Sequence, residues 1–234
     1  MTKAVLFDWY NTLSHYYPPR EQLQANACRE MGIKLAEDRL PAGLLLADHY
    51  YITENARYPM KRRPLEEQMN IYAQMQRIAL REAGATDVSD QLALGILQKV
   101  GQAFSNRNFA VFDDVLPAFD WLKRRGLILG IISNIDRELS TVCQQLGLAP
   151  YIDLTITSLE VGTEKPHPGI FLAALERAGV EASQAIYVGD HYDTDIVGAQ
   201  KVGMKGILLD RYDLFPEVTA CPRVKSLGAL SNHL

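Results

Sequence analysis

Residues 185–209 read AIYVGDHYDTDIVGAQKVGMKGILL, and this stretch decides the fold class. Ala185 to Val188 is a short apolar run, read as a strand, that stops at Gly189-Asp190. Thr194 to Val202 has the spacing of a helix and stops at Gly203, a residue that commonly ends helices. Gly206 to Leu209 is again a strand. A strand, one helix and a second strand in so short a span describe a right-handed crossover, which makes the two strands parallel members of one sheet.

The same alternation extends upstream. Pro117 to Arg125 reads as a helix ending at Gly126, and Leu127 to Ile132 as a strand ending at Ser133-Asn134. Arg137 to Leu146 is a helix ending at Gly147, Leu154 to Ile156 a short strand, and Pro168 to Ala178 a helix ending at Gly179. At the N-terminus, Lys3 to Phe7 is apolar at every step from Ala4, which suits a strand buried on both faces, and it ends at Asp8. Tyr10 to Pro19 reads as irregular. Four helices are then expected, from Pro19 to Met31, Pro41 to Asn55, Pro64 to Ala83 and Ser89-Asp90 to Phe104, with no strand signal among them. The predicted architecture is α/β: a doubly wound, Rossmann-like parallel sheet built from residues 1–14 and 111–234, with an all-helical domain, residues 15–110, inserted after the first strand.

Composition excludes several classes of function. The 234 residues are 47% hydrophobic and 22% charged, enough apolar side chain to offset the entropy of ordering the chain. The longest aliphatic run, Leu127 to Ile132, is broken by Gly130, whereas a membrane span needs about 20 apolar residues. Asp8 interrupts the N-terminus too early for a secretory leader, so the chain is expected to be cytoplasmic. Cys28, Cys143 and Cys221 form no C-x-x-C pair and read as reduced, mostly buried thiols. Neither the cysteines nor the five histidines have zinc-ligand spacing. A net charge of −4 gives no basic footprint for nucleic acid, and Lys61-Arg62-Arg63 reads as a solvated turn. The charge is unevenly divided: residues 15–110 hold 12 Lys/Arg against 11 Asp/Glu, the remainder 12 against 17. An acidic core fits one that holds a cation.

In open parallel sheets, ligands bind outside the carboxyl ends of the strands. The residues there are Asp8, Ser133-Asn134, Lys165, and Asp190 with Asp193 and Asp195. Each has an ordinary reading alone, as a turn former or a helix-start acid. Together they gather like charge that is costly to bury unless a cation offsets it, and Mg2+ is the common hard cation at phosphate sites.

These residues resemble the four motifs of the haloacid dehalogenase-like hydrolases. Phe7-Asp8-Trp9-Tyr10-Asn11-Thr12-Leu13 is similar to the first, Ser133 after its strand to the second, Lys165-Pro166-His167-Pro168-Gly169-Ile170-Phe171 to the third, and Gly189-Asp190-His191-Tyr192-Asp193-Thr194-Asp195 to the fourth. The order is the family's, the set spans the chain, and the insertion lies where one class of the family carries a helical cap. The resemblance implies a hydrolase in which Asp8 is the nucleophile. It implies Mg2+ held by Asp8, Asp190, Asp195 and the backbone carbonyl of Tyr10. Ser133, Asn134 and Lys165 would bind phosphoryl oxygens, Lys165 would keep Asp8 ionised, and Thr12 would orient the nucleophile loop.

Tyr10 departs from the family's phosphatases, most of which place a second Asp there as general acid and base. With a pKa near 10 it is a poor proton donor at neutral pH. A tyrosine at this place resembles the haloacid dehalogenases themselves. Against that, the dehalogenases lack the metal, have Ser where this chain has Asp190, and carry a Tyr where it has Phe171. Nor does the insertion offer a counterpart of their substrate-binding arginine, Arg39 lying in a different context. The leading expectation is a Mg2+-dependent phosphatase of a small phosphorylated metabolite. The alternatives are a 2-haloacid dehalogenase acting on a halogenated metabolite, and a weakly active or non-catalytic phosphate binder. A monomer or homodimer is expected, without nucleic-acid or membrane partners. In the cap, Tyr16, Tyr17, Tyr50, Tyr51 and the Arg57 to Arg63 segment are candidates for choosing the substrate.

Overall fold

The protein is described by a computed structural model covering residues 1–103, 108–135 and 138–234. The chain clusters into two units, one of Met1–His15 with Phe109–Leu234 and one of Tyr16–Asn108.

In chain order the first unit holds β1 (Ala4–Phe7), then α5 (Val115–Arg124), β4 (Ile128–Ser133), α6 (Ser140–Gln145), β5 (Leu154–Thr157), α7 (Ser158–Val161), α8 (Pro168–Ala178), β6 (Ala185–Gly189), α9 (Gly198–Lys201), β7 (Lys205–Leu209) and β8 (Arg223–Val224). All six of these strands are parallel, in the order β5-β4-β1-β6-β7-β8. The order reverses at β1, so β1, β4 and β6 lie side by side and their carboxyl ends form one edge. The period of two sorts their side chains between the faces. Val5, Phe7, Leu129, Ile131, Ile186 and Val188 pack on one face with Phe119 and Leu122 of α5. Ala4, Leu6, Ile132, Tyr187 and Ile156 pack on the other with Ile170, Phe171 and Leu175 of α8. Asp8 and Lys165 therefore belong to the face that carries Leu6 and α8.

The second unit is built from α1 (Arg20–Glu30), α2 (Leu40–Arg57), α3 (Leu65–Glu82) and α4 (Asp90–Ala103). Gly43 lets α2 approach α3 closely: a Cβ there would lie 2.4 Å from the carbonyl oxygen of Ala79. Polar pairs tie the helices, Gln24 Nε2 donating to Gln76 Oε1 at 2.5 Å in a buried contact and Arg20 forming a partly buried two-pronged pair with Asp48 at 2.8 Å.

Several expectations need correction. The stretch read as irregular and the end of the all-helical block contain short strands, β2 (Ser14–Tyr17) and β3 (Asn108–Val111), which pair with each other. Each is four residues long and only partly buried, so neither shows a clear alternation. Helix α5 starts two residues before Pro117, which suits a proline in a first turn. The helix expected from Thr194 begins instead as a π-helical turn over Tyr192–Val197 and becomes regular only in α9. Strand β8 and the short α7 had no recognisable pattern at two and four residues. The cysteines are as expected, free and mostly buried: Cys28 and Cys143 are buried and Cys221 is half-buried. The expected helix end at Phe104 and helix start at Arg137 lie outside the described residues. Among the described residues, no helix is long and apolar enough to cross a membrane.

Candidate active site

Asp8 directly follows β1, and its N–H extends the ladder to β6 by donating to the carbonyl of Val188 at 2.9 Å. The chain then turns tightly. The carbonyl of Trp9 accepts the N–H groups of Leu13 and Ser14 at 3.0 and 2.9 Å and the Ser14 hydroxyl at 3.1 Å. Asn11 takes a positive φ of 62°, a conformation Asn tolerates better than most residues. The turn is held from outside as well. Arg211 donates to the Thr12 carbonyl at 2.8 Å and to both carboxylate oxygens of Asp114 at 2.9 and 3.0 Å. At the tip, Thr12 Oγ1 donates to Asp190 Oδ1 at 3.3 Å.

Lys165 sits at the centre. Asn134 fixes its backbone at two points, Nδ2 donating to the Lys165 carbonyl at 2.9 Å and Oδ1 accepting its N–H at 2.6 Å. Its ammonium donates to Asp8 Oδ1 at 2.5 Å, Asp195 Oδ1 at 2.7 Å and the Tyr187 hydroxyl at 3.0 Å. Asp195 stands on the π-helical turn, where its other oxygen accepts the His191 N–H at 3.0 Å. Gly189 is required beneath it, because a Cβ there would fall 2.4 Å from the Asp195 carboxyl carbon.

Carboxylate oxygens of Asp8, Asp190 and Asp195, all buried, lie within 4.8 Å of one another. Three carboxylates against one ammonium leave a formal charge of −2 in a place nearly closed to water. Burial pushes the Asp8 carboxyl up to about 7; Lys165 opposes the rise, and Asp195 and Asp190 add to it. Burial alone would pull Lys165 down, but Asp195 and Asp8 outweigh it and hold the ammonium well above its ordinary range. Burial, reinforced by Asp195, raises the Tyr187 hydroxyl well above that of a free tyrosine. A compact set of hard oxygen donors carrying this residual charge fits Mg2+.

The structure thus brings together Asp8, Thr12, Asn134, Lys165, Asp190 and Asp195 of the residues singled out in the sequence. Ser133 is the buried last residue of β4, beside Asn134. Tyr10 is half-buried, and its side chain packs against the cluster that contains Phe7, Trp9 and Leu13. Asp193 is exposed. Phe171 is buried, with its ring edge-on to Tyr187 at 5.2 Å. In the helical unit Arg63 is not available as an anion contact: it is buried and bonded to the carbonyls of Tyr58 and Glu54 and to the Glu67 carboxylate. Tyr51 is stacked on Tyr72 at 6.2 Å. Sequence reasoning missed Tyr187 and Arg211. The signal for Tyr187 was present, a polar-tipped ring in a strand otherwise made to be buried, since a buried tyrosine hydroxyl needs a partner.

Fold and site together place a compact acidic centre at the switch point of a parallel sheet. Residues 2–203 match the family model described as "haloacid dehalogenase-like hydrolase", and the chain belongs to that family. It is 39% identical over 45% of its length to haloacid dehalogenase-like hydrolase domain-containing protein 3 of Danio rerio, a match spanning 44% of that relative. It is 31% identical to ribulose-1,5-bisphosphate 5-phosphatase of Halopiger xanaduensis, over 90% of this chain and 85% of the relative. Among solved structures, the 2-haloacid dehalogenase of Pseudomonas syringae pv. Tomato DC3000 superposes with a TM-score of 0.56 at 26% identity, covering 99% of this chain and 97% of that one.

Proposed function

We propose that the protein is a Mg2+-dependent phosphatase of a small phosphorylated metabolite, with Asp8 as nucleophile. The observation that carries this reading is the buried triad of Asp8, Asp190 and Asp195 around a single ammonium, an excess of negative charge matched to one divalent cation. The similarity to a relative named as a sugar-bisphosphate phosphatase supports it. Mg2+ on Asp8, Asp190, Asp195 and the Tyr10 carbonyl would offset the charge of the phosphoryl group as it meets a negative nucleophile. A carboxylate oxygen of Asp8 attacks phosphorus, the bond from phosphorus to the leaving oxygen breaks, and an aspartyl phosphate forms. Water then attacks phosphorus and returns Asp8 as carboxylate with release of phosphate. Lys165 and Ser133 stabilise the phosphoryl oxygens, and Asn134 holds the Lys165 backbone. In this reading residues 1–14 and 111–234 are the catalytic core and residues 15–110 a cap that selects the substrate.

Phosphate release from a metabolite panel, with Mg2+ and with EDTA, tests the proposal. Equal rates under both conditions, or chloride release from 2-chloropropionate in place of phosphate release, refutes it. Tyr10 favours the second outcome, the buried Asp190 and Phe171 oppose it. Tyr10 also shapes the expected selectivity. Without a carboxyl there to protonate the leaving group, aryl and acyl phosphates should turn over faster than alkyl esters. Tyr10→Asp should then raise alkyl turnover by part of the ~10²–10⁴-fold typical of general acid–base catalysis, and aryl turnover much less. Equal effects on both substrates assign Tyr10 to binding or packing.

A further inference from the structure

Lys165 has three ammonium N–H groups, and three acceptors take them: Asp8 Oδ1, Asp195 Oδ1 and the Tyr187 hydroxyl. The two carboxylates are subject to other demands. On the phosphatase reading, Asp8 loses its charge when it becomes an ester, and Asp195 is shared with the cation. The Tyr187 hydroxyl is the acceptor that does not change. Its ring is wholly buried, in register with Leu6 of β1 on one side and edge-on to Phe171 on the other. The hydroxyl has one proton to donate, and two acceptors stand within reach of it, Asp195 Oδ1 at 3.2 Å and the Ile132 carbonyl at 3.3 Å.

We propose that Tyr187 is a positioning residue that keeps the Lys165 ammonium in place while Asp8 passes from carboxylate to phosphoester and back. Asn134 fixes the lysine at its backbone, and Tyr187 fixes it at its tip. No bond to substrate is required of the tyrosine. Its contribution is to hold one N–H direction constant, so that the ammonium meets the phosphoryl oxygens and does not collapse onto Asp195 when Asp8 ceases to attract it. This assignment rests on the phosphatase reading and adds to it a residue outside the four motifs.

Tyr187→Phe removes one oxygen and leaves the ring packing intact. Turnover of p-nitrophenyl phosphate at saturating Mg2+ is the assay, with melting temperature and KM measured alongside. The expected result is a kcat lower by about 10- to 100-fold, the effect of one hydrogen bond to a charged group, with KM within about twofold. Phe171→Leu is the control for packing: it disturbs the ring and leaves the hydroxyl, and its kcat should stay near that of the wild type. Unchanged kcat in Tyr187→Phe overturns the assignment, as does an equal loss in Phe171→Leu. A loss seen only below saturating Mg2+ and absent at saturation also overturns it, because the hydroxyl then acts through Asp195. Should Tyr187→Phe not fold, 2,3-difluorotyrosine placed at position 187 alone makes the hydroxyl a weaker acceptor on the same ring. A fall in kcat then supports the role, and an unchanged kcat overturns it. Absence of phosphate release by the wild type removes the phosphatase reading and this assignment with it. Wild-type turnover combined with an indifferent Tyr187→Phe removes only the assignment.

Discussion

Asp8→Asn should abolish turnover and, without metal, stabilise the protein. The Asp8 carboxyl is raised from 3.8 to about 7, chiefly by burial. In the unfolded chain it ionises near its ordinary value. Between about pH 4 and pH 7 the folded state therefore binds the extra proton, and stability falls as pH rises. Above about pH 7 the full cost of a buried carboxylate is present. At about 1.4 kcal/mol per pKa unit, the rise corresponds to about 4 kcal/mol. Asparagine has nearly the same shape and carries no charge, so the variant escapes this cost. Its advantage should be small at pH 4 and reach about 4 kcal/mol at pH 8, or about 8–16 °C in melting temperature for a chain of this size. Trp9 and Trp121, the two tryptophans of the chain, both lie in the unit that carries the site, so their fluorescence follows its unfolding. The experiment is denaturant unfolding of both proteins in EDTA at pH 5 and pH 8. Equal stability at pH 8, or a difference that does not grow with pH, refutes the reasoning. Added Mg2+ should narrow the gap at pH 8 by stabilising the wild type more than the variant, because the ionised Asp8 becomes a ligand.

Lys165→Met leaves three buried carboxylates without their ammonium and should cost about 3–5 kcal/mol at pH 8 in EDTA. Because the lysine stays charged throughout this range while Asp8 protonates below about 7, the loss should shrink at pH 5, which the same fluorescence titration reads. Gly43→Ala places a Cβ 2.4 Å from the Ala79 carbonyl oxygen and must push α2 from α3, at a cost of roughly 1–3 kcal/mol. Amide exchange should quicken in α2 and α3, while tryptophan-monitored unfolding of the sheet unit stays unchanged.

The sheet was legible because each of its long strands is an apolar run bounded by glycine or a polar pair, and because after the insertion strands and helices alternate. Asp8, Lys165, Asp190 and Asp195 were legible for a related reason: the end of a strand locates a side chain before its contacts are known. What escaped was short or shaped by neighbours. Residues Ser14–Tyr17 and Asn108–Val111 form strands only because they pair with each other across the insertion, and neither has a core to impose alternation. Within the π-helical turn at Tyr192, Asp195 reaches back over Gly189, a tertiary contact that helix propensity does not express.

Tyr187 and Arg211 lay outside the motifs for a different reason. Register pairs Tyr187 with Leu6, and the parallel ladder sets it one row beneath Asp8 on the α8 face. A Lys165 ammonium drawn toward Asp8 therefore comes within reach of the tyrosine hydroxyl. Arg211 reaches the nucleophile loop because β7 ends two strands away from β1 and its chain continues along the same edge. Such residues carry no signature of their own, since their partners are fixed by strand order and not by sequence spacing. They are also the residues on which a motif-bearing side chain depends for its aim: Lys165 without fixed acceptors is a flexible cation, and Asp8 without an anchored loop is one carboxylate among three.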